Sequence, residues 1–200
     1  MPSDRRVLSI NTASARPMEV EGRRILSAIG KQPVSTPTEP ARIAVGPMGL
    51  AGDEQADLTV HGGLSKAVYA YPHEHYAFWQ TVRAQAGVQA WGETLPIGLP
   101  GENLTVTGLL ETDAWIGDLL RFPDCTLAIS EPRRPCYKFA AVMGFPQAVK
   151  MMAQSGWCGY YLAVRVPGTI AAGEAFEVIP GPREVSIADL FRAKMRKDAA

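Results

Sequence analysis

The stretch Gly117–Gly144, GDLLRFPDCTLAISEPRRPCYKFAAVMG, holds the local choices that set the fold class. GDLLRF and CTLAIS are short apolar runs on either side of Pro123-Asp124, a turn-forming pair, so they read as the two partners of a hairpin. Then the pattern changes. Pro135 suits the first position of a helix, where its missing N–H costs nothing, and PCYKFAAVMG reads as a short helix stopped by Gly144. That puts Cys136 in the first turn, with Arg133 and Arg134 just before it and Lys138 just after.

Outward from this stretch the chain is cut short by sixteen prolines and nineteen glycines, which favours strands over long helices. Strands are expected at 6–14, 23–30, 41–47, 66–72, 102–109, 160–166 and 174–180, where β-branched and apolar residues lie between turn formers. Helical spacing is confined to three further places. Pro72 opens HEHYAFWQTVRAQAG, with Tyr76, Trp79 and Val82 at three-residue spacing and Gly87 as the stop; 146–156 repeats the plan; 186–196 is amphipathic with its basic residues late, where they suit the dipole. Many short strands, few helices and no βαβ alternation predict an α+β chain, mostly β, built as a barrel or sandwich with peripheral helices. No repeat, low-complexity segment or linker divides it, so residues 1–200 are read as a single domain.

Composition narrows the function classes. Lys plus Arg and Asp plus Glu are both 20, so no global field draws the chain to nucleic acid or to an anionic membrane. MPSDRRVLSI lacks the apolar core of a signal peptide, and no run approaches the roughly 18–20 apolar residues of a membrane span, which predicts a soluble, cytoplasmic protein. Cys125, Cys136 and Cys158 are odd in number and widely spaced, against a disulfide framework or a tetrahedral zinc site. No Walker loop, GxGxxG, CxxC or GxSxG occurs.

Three segments carry chemistry. A thiol at a helix start beside Arg and Lys has a depressed pKa, so Cys136 is either a reactive or metal-binding thiolate or a buried structural cysteine. Cys125 and Cys158 lie in apolar runs and read as structural. In GLAGDEQADLTVHGG (49–63), Asp53 is placed to cap a turn or orient a neighbour, and His61 before a glycine pair is an acid, a base, a hydrogen-bond donor or a polar turn residue. In GENLTV (101–106), Asn103 offers an amide to a ligand or makes a local turn. His73 and His75, two apart, do not share a helix face and read as solvated.

Taken in order, GLAGDEQADLTVHGG, KAVYAYPHEHYAFW, GENLTVTGL, WIGDLLRF and EPRRPCYK resemble the MOSC family, named after the carboxy-terminal domain of molybdenum cofactor sulfurase, and its stand-alone bacterial branch linked to 6-hydroxylaminopurine resistance. These motifs cover 49–139. The resemblance implies a β-barrel, a molybdopterin-type cofactor, and Cys136 as the protein ligand to molybdenum. Arg133, Arg134 and Lys138 would keep that ligand deprotonated and pair with the cofactor phosphate; His61 and Asp53 would be catalytic or supporting, and Asn103 a cofactor or substrate contact. The implied reaction is two-electron reduction of an N-hydroxylated substrate, with water leaving and a separate electron-donor protein returning the electrons. Two alternatives use the same thiolate: sulfur transfer through a Cys136 persulfide, and a non-catalytic cofactor carrier. The branch usually continues past the C-terminal helix, here 186–200. Pyridoxal phosphate, bound by the separate domain of full-length sulfurases, is not expected.

Overall fold

The computed structural model describes residues 4–56 and 62–198. Its strands are β1 (Arg6–Thr12), β2 (Arg16–Val20), β3 (Arg23–Ser27), β4 (Gln32–Ser35), β5 (Ile43–Gly46), β6 (Gly49–Leu50) and β7 (Val68–Pro72), followed after a helical stretch by β8 (Leu104–Thr107), β9 (Leu119–Arg121), β10 (Thr126–Pro132), β11 (Tyr160–Val166), β12 (Gly168–Ile170) and β13 (Glu177–Ile179). The helices are α1 (Tyr76–Gln85), α2 (Tyr137–Met143), α3 (Ala148–Ser155) and α4 (Ile187–Asp198).

The hairpin read from GDLLRFPDCTLAIS forms: β9 and β10 pair antiparallel with Leu127 opposite Leu120. They belong to an eight-stranded mixed sheet in the order β13-β9-β10-β11-β7-β8-β1-β4. Every residue of β7 is buried, as a strand covered on both faces requires. β7 and β8 are parallel, and a parallel pair needs a long crossover, which α1 and the loops around it supply. Two smaller sheets complete the architecture, the β2-β3 hairpin and β12-β5-β6.

Among the described residues the expected barrel does not close as a continuous ladder. The large sheet ends at β13 and β4, and the segment leading into β13 reaches β1 only through loop bonds such as Val7 N–H to the Glu174 carbonyl (3.0 Å) and one isolated bridge, Arg6 to Ala175. The chain is a mixed α/β structure with a large mixed sheet and four helices among the described residues.

Three boundaries differ from the sequence reading for identifiable reasons. Leu64–Lys66 is a 3-10 turn, so the strand begins at Val68. β2, β4, β6 and β12 were not anticipated; Pro17 and Pro33 weaken the first two as strand signals, and proline is tolerated because both strands lie at edges. Pro135 is not the first helical residue. Cys136 is the N-cap with extended backbone (φ −136°, ψ 168°), the Phe139 N–H donates to its carbonyl at 2.9 Å, and Gly144 ends α2 in the left-handed region (φ 82°).

The remaining helices keep their predicted plan. α1 buries Tyr76, Trp79 and Val82, and the Trp79 indole donates to the Tyr71 hydroxyl at 2.6 Å. α4 starts with a reciprocal cap in which the Asp189 N–H donates to Ser186 Oγ (3.1 Å) and that hydroxyl donates to Asp189 Oδ2 (2.7 Å). No described helix is long and apolar enough to cross a membrane. His75, read as solvated, is buried instead: its ring lies 2.8 Å from Glu111 Oε2 and stacks on Trp157. The pair ties the turn before α1 to the loop ahead of β9, which the local sequence could not reveal.

Candidate functional site

A cavity of about 650 Å³, measured to include its open mouth, is lined by residues from β3 and the loop after it, the loop after β6, β7, the segment ahead of β8, the turn out of β10, the start of α2 and β11. Asp53, Asn103, Arg133, Cys136 and Lys138 all line it, although as many as 85 positions separate them in sequence (138 less 53). Arg134 does not; it is exposed, one residue from the wall. His61 lies outside the described residues.

Cys136 is half-buried and its thiol makes no capping hydrogen bond to α2. A seven-residue helix whose N-cap is the cysteine gives less dipole support than the expected first-turn position, so the local charge matters more. That charge is Arg133. Adjacent arginines separate because successive residues leaving β10 point to opposite sides. Arg133 turns inward to 4% exposure, while Arg134 faces solvent. The Arg133 guanidinium lies over the Phe139 ring at 4.7 Å and the Tyr69 ring at 5.2 Å, and reaches Met152 Sδ at 3.7 Å. Among the described residues no carboxylate lies within ion-pair distance of it. Burial works against its charge, but Tyr69, Tyr161, Cys136 and Tyr71 together more than offset this and raise its pKa. The attraction is mutual, so Arg133 favours thiolate over thiol at Cys136.

Cys125 and Cys158 behave as structural thiols. Burial pushes Cys125 up to about 11, and burial raises Cys158 well above the ordinary range, with the neighbouring Glu111 adding to it. None of the three cysteines is in a disulfide.

The opposite wall is held by a carboxylate. Asp53 Oδ1 accepts the Ala13 N–H (2.9 Å) and Lys31 Nζ (2.5 Å), while Oδ2 accepts Asn103 Nδ2 (2.8 Å). Asn103 spends its amide on the scaffold as well: Oδ1 accepts the Tyr69 N–H (3.0 Å) and Nδ2 also donates to the Asn11 carbonyl (3.2 Å). Asp53 and Asn103 therefore lock β1, β7 and the residue ahead of β8 around the cavity. Behind them Glu102 is fully buried; its Oε1 accepts the Tyr76 hydroxyl, Thr105 Oγ1 and the Gly98 N–H, and burial raises its pKa.

Lys31 was missed by sequence reading. It is 7% exposed, lines the cavity and is paired with Asp53, yet in IGKQPV it is a single lysine in a strand-turn context with no motif around it. Lys66, Tyr69 and Tyr161 also line the wall; the two tyrosines sit in apolar strands where core packing is the ordinary reading. Lys138 donates to the Leu26 carbonyl at 3.2 Å, tying α2 to β3 across the mouth. Among the described residues no group of three or more His, Cys, Asp or Glu could hold a metal. The wall thus provides one soft thiol, several cations and a braced carboxylate, a set suited to an anionic ligand that brings its own metal or sulfur chemistry.

The MOSC domain model matches residues 57–177, more than half of the chain, and the protein belongs to the MOSC domain family. Among its relatives, the uncharacterized protein YflK of Bacillus subtilis is 35% identical over 90% of this chain and 76% of YflK. Protein YiiM of Escherichia coli is 32% identical over 70% of this chain and 60% of its own length. A protein of Gibberella moniliformis named "Reductase" is 32% identical over 80% of this chain but only 27% of that protein. In structure, YiiM from Geobacillus stearothermophilus superposes with a TM-score of 0.73 at 28% identity, covering 98% of this chain and 86% of that one.

Proposed function

We propose that the chain binds a molybdenum cofactor of the molybdopterin type through Cys136 and reduces N-hydroxylated compounds, purine bases among them, in the cytoplasm with a separate electron-donor protein. The observation that carries this reading is the pairing, on one cavity wall, of a half-buried thiol with a buried arginine that has no carboxylate within ion-pair distance among the described residues. A buried cation is costly unless something offsets it. Tyrosine and phenylalanine faces and the neighbouring thiol do so here, and an anionic ligand would add a charge-assisted pair.

The residues fit the group. A metal delivered on its own dithiolene sulfur needs only one soft protein ligand, and Cys136 is the thiol on the wall. Arg133 and Lys138 would pair with the anionic end, and Arg134 would add field from the surface. Asp53 and Asn103 act as positioning residues that keep the opposite wall in place. His61 belongs to the proposal from sequence alone, as an acid, base or donor. When bound, the cofactor would supply two-electron reduction of an N–O bond. Membership in the MOSC family and a relative named as a reductase support this reading. Most of that fungal relative lies outside the match, which suits a division of labour in which electrons come from elsewhere.

The test is metal analysis of protein made in a host competent in cofactor synthesis, together with turnover of 6-hydroxylaminopurine using a chemical electron donor. Wild type is expected to carry molybdenum and turn over, and Cys136→Ala to lose both. Undiminished molybdenum in Cys136→Ala refutes the ligand assignment. Metal binding without turnover would make the chain a carrier, and a persulfide on Cys136 without molybdenum a sulfur-transfer protein.

A further inference from the structure

We infer that Lys31 is the proton donor of this cavity: its ammonium protonates the oxygen that leaves when the N–O bond of a bound N-hydroxylated compound is reduced. This rests on the reading under Proposed function. Reduction of R–NHOH to R–NH2 and water consumes two electrons and two protons. A bound molybdenum cofactor would supply the two electrons; as the N–O bond breaks, one proton passes from Lys31 Nζ to the departing oxygen, and the second comes from solvent, which also reprotonates Lys31.

The geometry singles out this side chain. Lys31 is buried to 7% exposure on the cavity wall, and Nζ has one hydrogen-bond partner among the described residues, Asp53 Oδ1 at 2.5 Å. An ammonium has three donors, so two are left for a molecule in the cavity. Asp53 is itself gripped by the Ala13 N–H and by Asn103, so it fixes where the lysine sits. Burial pulls the Lys31 pKa down, with Asp53 and Glu102 opposing, so its proton is released more readily than that of a surface lysine.

The other groups on the wall fit the role less well. Burial holds Tyr69 and Tyr161 above their ordinary values, and the Tyr69 hydroxyl is committed to the Cys158 carbonyl at 2.8 Å. Glu54 is exposed and accepts the Ala15 N–H at 2.6 Å. Lys138 is committed to the Leu26 carbonyl and Lys66 lies 4.0 Å from Glu131.

The experiment compares Lys31→Arg and Lys31→Met with wild type in the molybdenum-loaded full chain, on 6-hydroxylaminopurine with a chemical electron donor. Both variants should retain wild-type molybdenum content and a nearly unchanged KM, while kcat falls by about 10²–10⁴-fold, the usual contribution of a positioned acid. Arginine keeps the charge and the donors but does not release a proton, so it should fail to rescue. The wild-type kcat should fall as pH rises through the Lys31 pKa, and both variants should lose that limb. A second readout needs no turnover: NMR titration of Lys31 Nζ in unloaded wild type should give a lower pKa than exposed Lys150. Full activity in Lys31→Arg, or a Lys31 pKa at or above that of Lys150, overturns the inference and leaves the cofactor reading intact. Wild type without molybdenum overturns that reading, and this inference with it.

Discussion

Removing Asp53 should cost far more stability than its position in a loop suggests. The Lys31–Asp53 pair is largely shielded from solvent, with side chains 8% and 6% exposed, so solvent screening blunts it little. Asp53→Ala deletes three hydrogen bonds and leaves an ammonium buried without its one described partner. Breaking a buried pair from one side costs about 3–5 kcal/mol. At roughly 2–4 °C per kcal/mol for a chain of this length, Tm should drop by about 6–20 °C. Lys31→Met is expected to be milder, because Asp53 keeps the Ala13 and Asn103 donors. The double variant Lys31→Met/Asp53→Leu should recover part of the loss, because no ammonium is left buried and unpaired, while the Ala13 N–H and the Asn103 amide still lack their acceptor.

The sign of the pH dependence provides a second check on the same variant. With Asp53 gone, the folded Lys31 pKa falls further below its unfolded value of about 10.4. Between the two values the unfolded chain binds more protons, so Asp53→Ala should gain stability as pH rises through that window. Urea unfolding of the four proteins, each followed from pH 6 to pH 10, measures both effects. A loss below about 1 kcal/mol for Asp53→Ala, or a double variant no more stable than Asp53→Ala, would refute the buried-pair reasoning.

Three other outcomes are expected. At pH 7 a small thiol reagent should label Cys136 alone in the folded chain and all three cysteines after denaturation, because Cys125 at about 11 exposes only about 10⁻⁴ of its thiolate and Cys158 is fully buried; labelling of Cys125 as fast as Cys136 would contradict this. Glu102, raised above its ordinary value by burial, keeps a proton that the unfolded chain releases above about 4.3, so stability should fall as pH rises through its folded pKa, and Glu102→Gln should flatten that slope in urea midpoints measured from pH 4 to pH 8. Gly159→Ala should unfold the chain or lower Tm by more than 10 °C, roughly 3 kcal/mol or more: at φ 65° its Cβ would sit 2.5 Å from the Ala70 carbonyl and 2.8 Å from the Tyr69 ring, both in the interior of the sheet. Calorimetry checks it, and a Tm within 3 °C of wild type would show that β7 and β11 can part.

Much of the local structure was legible because local rules governed it. Pro123-Asp124 forced the β9–β10 hairpin, Gly144 and Gly156 ended α2 and α3 in left-handed conformations, and Ser186 with Asp189 wrote its own helix cap. Edge strands were less legible. Pro17 and Pro33 argue against strand locally, and only pairing with β3 and β1 selects it. Barrel closure was illegible for a related reason, since whether a sheet closes depends on register between strands distant in sequence. His75 shows the same limit at the level of one side chain: its partner Glu111 is 36 residues away.

By itself the sequence determined most of the longer strands and the capped helices, the thiol count, the neutral charge, and the set of motifs that marks a MOSC chain. It also named Asp53, His61, Asn103, Arg133, Arg134, Cys136 and Lys138 as candidate site residues, and Asp53, Asn103, Arg133, Cys136 and Lys138 line one cavity. Tertiary structure alone decided how members of that group differ. Arg133 and Arg134 are neighbours with identical chemistry, yet the turn out of β10 buries the first between Tyr69 and Phe139 and leaves the second in water. Lys31 became a member only because the chain between β3 and β4 passes beside Asp53. Burial, and with it the energy of a charge, is set by what the rest of the chain brings alongside, and no local spacing encodes that.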